Sequence, residues 1–277
     1  MIKKVFQVTG LLVLTCISFM YTEKAMIVVR EQDPLMIELM EKKESHSIPA
    51  INAYIDGNDI IPGYEGIEVD VELSYEKMKK YGLYNENMLI FKNVSPEQSI
   101  NKIYNKYIVA GNKSKNMVSL VFNISKNDDI RKIKEILRKN NVVATFFFDK
   151  EYIEKNKEII DELVYLGNEV GHKNYSNDEE MIYSNRLLDK KQSYCYLEKY
   201  NEDMIKLCNN YSMHAVKPTI VNDSISLKKN LSSGSIIGMK ASKQINNELD
   251  HIIIYIKQKG LTLATLSDHL NEKRLEK

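Results

Sequence analysis

From residue 113 onward the chain alternates two hydrophobic periods. Val118-Ser-Leu-Val-Phe122 and Val142-Val-Ala-Thr-Phe-Phe-Phe148 are short apolar runs rich in β-branched and aromatic residues, which read as strands. Between them Ile130, Ile133, Ile136 and Leu137 recur at helical spacing. Ile159, Ile160, Leu163 and Val164 mark a second helix, with Gly167 as its stop. A third carries Met204, Ile205, Leu207 and Cys208, ahead of Ala215-Val-Lys-Pro218. Ser235-Ile-Ile237 reads as a strand, and Ile245, Leu249, Ile252, Ile253 and Ile256 form a long helical stripe closed by Gly260. Leu261-Thr-Leu-Ala-Thr-Leu266 is a last strand, with Ser267 capping a short helix. Repeated β-α units imply an α/β fold with a parallel sheet, open or closed into a barrel; periodicity does not choose between them.

The first half is patterned differently. Val69 and Val71 alternate with acids, as in an exposed strand. Ser74 is placed to open a short helix that Gly82 ends. Met88-Leu-Ile-Phe91 and Lys106-Tyr-Ile-Val109 read as buried strands, and Ile55-Asp-Gly-Asn58 as a turn. Upstream, Asp33-Pro34 predicts a helix start, with Asp as N-cap and Pro at the first helical position. At the extreme N-terminus, Lys3 and Lys4 precede a mostly apolar run from Val5 to Tyr21. Its span of roughly 17 residues is at the short end for a membrane crossing, and Tyr21-Thr-Glu-Lys24 is a poor cleavage site. The expectation is an uncleaved, single-pass anchor in the cell membrane with the C-terminal part extracytoplasmic. Leu14-Thr15 is a weak context for lipidation at Cys16. The expected division is residues 1–22 anchor, 23–45 juxtamembrane helix or stalk, 46–113 small α+β module, and 114–277 main domain.

Charge excludes some functions. The 277 residues carry a formal net charge of +1, with no basic stripe for nucleic acid. Arginine is confined to Arg30, Arg131, Arg138, Arg186 and Arg274, which argues against bidentate phosphate recognition. In an exported chain, Cys195 and Cys208, on either side of a turn at Lys199-Tyr-Asn-Glu202, are candidates for a disulfide.

The chemistry is most legible between Met117 and Asn177. Ala144-Thr-Phe-Phe147 and the segment Gly167-Asn-Glu-Val-Gly-His-Lys-Asn-Tyr-Ser-Asn177 resemble the polysaccharide deacetylase (NodB-homology) family. In that family the first strand ends in Thr-Phe-Asp-Asp-Gly, the second reads Ala-Thr-Phe-Phe, and the third segment supplies a His-x-x-x-His pair. The resemblance covers most of residues 115–270 and implies a distorted (β/α) barrel. It also implies a divalent metal held by an aspartate and two histidines, a second aspartate as base, and a late histidine as acid.

Taken position by position, the catalytic set is missing. The base falls on Asn123, which cannot accept a proton as a carboxylate does. The metal-binding aspartate falls on Ile124, and the two histidine ligands on Lys173 and Asn177. The family's Arg-Pro-Pro-Tyr-Gly motif matches Lys217-Pro-Thr-Ile-Val221, and the late histidine falls on Lys240. Without a metal, bound water keeps a pKa of about 15.7 rather than about 7. Loss of the base costs a further ~10²–10⁴ in rate. Nearby acids have structural readings: Asp128-Asp129 precede a helix and suit capping, while Asp149 ends the second strand and is the best remaining carboxylate. His172 lies one residue from a ligand position, which in an extended segment turns it to the opposite face, and reads as structural; His46, His214, His251 and His269 show no ligand spacing.

These readings point to a catalytically inactive, membrane-anchored relative without cofactor. Its old groove (Asn123, Asp149, Lys173, Asn177, Lys217 and Lys240) would bind cell-wall glycan or an envelope protein. The alternative is a cell-wall polysaccharide or peptidoglycan N-deacetylase, a hydrolase of C–N amide bonds that works through non-standard residues. A third option makes residues 46–112 a protein-binding face.

Overall fold

The protein was studied as a computed structural model, which describes residues 12–21, 28–173, 177–188, 192–221 and 224–274. They fall into two compact units. One comprises Met1–Pro49 and Gly66–Val94, the other Ala50–Glu65 and Ser95–Lys277. The segment read as a module at 46–113 is thus divided between them.

In the smaller unit, Asp33 caps the helix Pro34–Lys42 by accepting from the Leu35 amide at 2.8 Å, with Pro34 in the first turn as the sequence implies. Leu35, Met36 and Leu39 pack on Tyr75 and Met78. Two expectations shift here. Val71 does not continue a strand: Asp70 caps a helix Val71–Met78. Ser74, read as a cap, is buried inside that helix, and its hydroxyl accepts from the Ile90 amide at 2.9 Å. The expected buried strand at 88–91 starts only at Phe91, which is exposed. Residues 12–21 are helical and exposed. No helix of the described residues is long and apolar enough to cross a membrane, so the structure gives the expected anchor no support; residues 1–11 of that segment lie outside the described part.

Numbering strands along the chain, β1 is Tyr54–Asp56, β2 Asp59–Ile61, β3 Gly66–Val69, β4 Phe91–Val94, β5 Tyr107–Ile108 and β6 Met117–Ile124. Then follow β7 Thr145–Phe148, β8 Glu169–His172, β9 Tyr194–Tyr196 and β10 His214–Val216. The last three are β11 Ile220–Val221, β12 Ile236–Lys240 and β13 Thr262–Leu263. β3 and β4 form a hairpin-like pair in the smaller unit.

The larger unit holds two sheets. One has the order β11-β12-β6-β7-β8, all parallel, with β13 also on β6; the other has the order β1-β2-β5-β10-β9. Side chains alternate across the first sheet. Leu120, Phe122, Ile124, Phe146 and Phe148 face a core shared with the helices Arg131–Lys139, Lys157–Tyr165 and Lys243–Gln258. Val121, Phe147 and Ile236 face the other way, onto Ile60, Ile108, Tyr194, Tyr196 and Val216 of the second sheet. Among the described residues the ladders do not join into a ring; one isolated bridge, Ala110 to Ser235, links the adjoining segments. The fold is α/β as expected; the strands of the larger unit lie in two sheets, and the closed barrel implied by the resemblance is not shown. β9 and β10 are too short to show a period, which is why the sequence pattern missed them.

The C-terminal residues lock the larger unit. Thr265, rather than Ser267, caps the helix Leu266–Leu270. Glu272 accepts from the Gly63 amide (2.7 Å), the Ile100 amide (3.1 Å) and the Ser99 hydroxyl. His269 shares a 2.9 Å hydrogen bond with Ser119 and lies so close to Gly111 that a Cβ there would meet its Nε2 at 2.2 Å.

Cys195 and Cys208, candidates for a disulfide in the sequence, are bonded and tie β9 to the helix Glu202–Asn210. It closes a loop with a sequence separation of 13, for which chain entropy gives roughly 3 kcal/mol. Cys208→Ser, or reduction of the native protein, is expected to lower the thermal midpoint by roughly 6–12 °C; an unchanged midpoint by calorimetry contradicts this.

Burial pushes the His214 imidazole down to about 4, and burial together with nearby Lys115 pushes His269 down to about 3. Both rings stay neutral when folded, while the unfolded chain takes up protons below about 6.5. The unfolded state therefore binds more protons in that interval, and stability that is complete above about pH 6.5 declines as pH falls toward 4. The midpoint is expected to drop between pH 7.5 and 5, and to drop less in His269→Gln. Equal slopes for both proteins would exclude His269 as a source.

Candidate functional site

β6 sets the site through its alternation. Ile124 points into the helix-side core and is fully buried, which explains why the metal-aspartate position can be apolar. Asn123 is half-buried on the opposite face, last in line after Val121. The parallel register places it beside Lys240 of β12 and Phe147 of β7, and Phe147 beside Gly171 of β8. Gly171 has to lack a side chain: a Cβ there would meet the Phe147 ring at 2.7 Å.

Lys173 follows β8, held by its amide on the Phe148 carbonyl at 2.9 Å. It is 4% exposed. Its ammonium donates to Asn123 Oδ1 and, at 3.0 Å, to Ser125 Oγ. Asn123 Nδ2 donates to Glu198 Oε1 at 2.7 Å, and Lys240 Nζ lies 3.0 Å from the same oxygen. The amide of Asn123 is thus oriented from both ends, oxygen to lysine and nitrogen to glutamate. The chain Lys173–Asn123–Glu198–Lys240 connects β6, β12 and the ends of β8 and β9. Tyr196 of β9 tilts against Phe147, ring centroids 5.4 Å apart, and forms the floor.

The charges respond to this geometry. Burial pushes the Lys173 ammonium down from its ordinary value, opposed by the fields of Asp149, Asp128 and Glu198. Burial pushes the Glu198 carboxyl up, but the hydrogen bonds from Lys240 and Asn123 outweigh it and hold the group below its ordinary value. Burial also pushes the His172 ring down to about 4, so it is neutral at physiological pH.

The expected groove residues do not all converge. Asn123, Lys173 and Lys240 do. Asp149 is committed to the backbone: Oδ1 caps the helix Lys150–Lys155 at the Tyr152 amide, and Oδ2 accepts from the Lys126 amide, each at 2.8 Å. Asn177 caps the helix Asp178–Leu187, accepting from the Glu180 amide at 2.9 Å. Lys217 lies over the Tyr200 ring, 4.3 Å from its centroid. Asp129 accepts from the Arg131 amide and guanidinium, and Asp128 closes a turn at the Ser125 amide, 2.7 Å away; the helix Arg131–Lys139 has Ile130 at its N-cap and no side-chain cap, so the capping expected of these acids is not made. Glu198 is the member that sequence reasoning missed. Its only signal was its place after the short apolar run Tyr194-Cys-Tyr-Leu197.

Beside the polar chain lies an open cleft of about 650 Å³, bordered by Ser125, Lys126, Asp149, His172, Lys173 and Glu180. It is large enough for a small ligand or one end of a polymer. The residues at the former metal position do not suit a divalent cation. They bring two ammonium groups, an amide and an isoleucine against one carboxylate, and zinc-type sites need three or four N, O or S donors. Among the described residues no group of three His, Cys, Asp or Glu is placed to hold a metal ion.

Residues 110–220 match the polysaccharide deacetylase family profile. The uncharacterized protein YlxY of Bacillus subtilis is 28% identical over 287 residues, covering 90% of this chain and 88% of that protein. Among solved structures, wild-type BA3943 of Bacillus anthracis, a CE4 family pseudoenzyme, is 25% identical with a TM-score of 0.65, covering 88% of this chain and 97% of that one. A BA3943 mutant with restored enzymatic activity gives 25% identity and a TM-score of 0.66, over 87% of this chain and 99% of that one. The Bc1960 peptidoglycan N-acetylglucosamine deacetylase shares the fold, at 22% identity and a TM-score of 0.52, over 61% of this chain and 95% of that one. Residues 110–220 thus match the polysaccharide deacetylase family model, and the chain as a whole shares the α/β fold of the CE4 pseudoenzyme BA3943.

Proposed function

We propose that this chain is a polysaccharide deacetylase-like protein without deacetylase activity, held at the outer face of the cell membrane by its N-terminal segment. In this reading it uses the former substrate groove to bind cell-wall glycan. The observation that carries it is the Lys173–Asn123 contact. A buried ammonium and an amide occupy the positions where the family needs a metal ligand and a base. An amide cannot take a proton from water, and an ammonium disfavours a metal beside it. That a relative of matching length is a CE4 pseudoenzyme supports the same reading.

The rival reading, hydrolysis through other residues, would have to enlist Glu198, the carboxylate bonded to Asn123. Its proton affinity is lowered by Lys240 and Asn123, which makes it a weaker base than a free glutamate. The cleft beside Lys173 and the exposed Lys240 leave polar donors for glycan oxygens.

Purified protein, supplied with zinc and incubated with acetylated chitooligosaccharides or peptidoglycan, is expected to release no acetate above a protein-free blank. It is expected to sediment with peptidoglycan more than an unrelated exported domain does, and less after Lys240→Ala. Acetate release overturns the inactive reading; sedimentation no greater than the control overturns glycan binding.

A further inference from the structure

The residue at the former ligand position is not a neutral filler. Lys173 is 4% exposed, yet it keeps a charged end in place. An ammonium is removed from water only at high cost unless its surroundings compensate. Here the compensation is specific: Asn123 Oδ1 and Ser125 Oγ accept from it, and the carboxylates of Asp149, Asp128 and Glu198 favour its charge. Those three acids come from separate segments, after β7, after β6 and after β9. Two of them are fixed by backbone amides and one by Asn123 and Lys240. Burial and nearby Lys240 oppose the charge, and the two hydrogen bonds with the fields of these acids offset part of that opposition.

We infer that the Lys173 ammonium is the resident cation of this site, a covalently tethered charge that does the structural work a bound ion would otherwise do. It orients Asn123 by its oxygen, so that the amide nitrogen is turned to Glu198. Through Glu198 it ties the edge strands β8 and β9 to β12. This inference rests on the reading of the domain as an inactive deacetylase and deepens it. Catalysis would require removal of this charge as well as the return of acids at Asn123 and Ile124.

The test is replacement of the tether. Lys173→Ala in the full chain removes three methylene carbons and the ammonium, a space matching propylammonium. The variant is expected to melt roughly 4–8 °C below wild type. Propylammonium chloride is expected to restore part of the loss, roughly 2–4 °C, while tetramethylammonium chloride at the same ionic strength restores none and neither salt moves wild type. A variant as stable as wild type, or an equal response to both salts, overturns the inference. If Lys173→Ala does not fold, Lys173→Met keeps the stem without the charge; a midpoint at or above wild type then overturns it. Acetate release by wild type sinks the inactive reading instead, so the two failures are separable.

Discussion

The hydrogen bond from the buried Lys173 ammonium to Asn123 is the constraint on which the rest of the site depends. It fixes which way the Asn123 amide faces, and so what Glu198 receives, and so where Lys240 rests. Each link is short and directional, and each comes from a different strand end. A charge buried to this degree tolerates little rearrangement, because an unpaired position costs far more than a paired one gains. The strand ends are consequently held together by polar contacts.

The core explains how the centre could change without loss of the fold. Stability resides in two apolar layers, one between sheet and helices and one between the two sheets. The polar members of the site, Asn123, Lys173, Glu198 and Lys240, belong to neither layer, while Ile124 adds apolar burial to the helix-side layer. On the proposed reading, a lysine and an amide can stand at this polar edge without disturbing the register of β6, β7 and β8.

Much of this was legible in the sequence, for physical reasons. β6 and β7 lie in apolar runs rich in β-branched and aromatic residues and the major helices have full stripes, so their type follows from composition and period. The Cys195–Cys208 pairing was readable as a possibility from context and became definite only when β9 and the following helix met. Of the strands of two or three residues, β5 and β13 lay within apolar runs that read as strands, whereas β1, β9, β10 and β11 span too few residues for a pattern. Caps were the other weak point: Asp70 and Thr265, rather than Ser74 and Ser267, begin their helices. At the site, Asn123, Lys173 and Lys240 were found by matching motifs, whereas Asp149 and Asn177 are helix caps whose oxygens are spent on amides. Glu198 escaped because its partners lie far off in the chain, 75 residues away for Asn123 and 42 for Lys240.

The central claim is that a tethered ammonium, and no metal, organises this edge of the sheet. Anomalous diffraction at the zinc absorption edge, from crystals grown with zinc in excess, addresses it directly. The account expects no ion within coordination distance of Asn123, Lys173 or Glu198, with the lysine-to-asparagine bond intact. A fully occupied ion at that position, with Lys173 turned away, would contradict it.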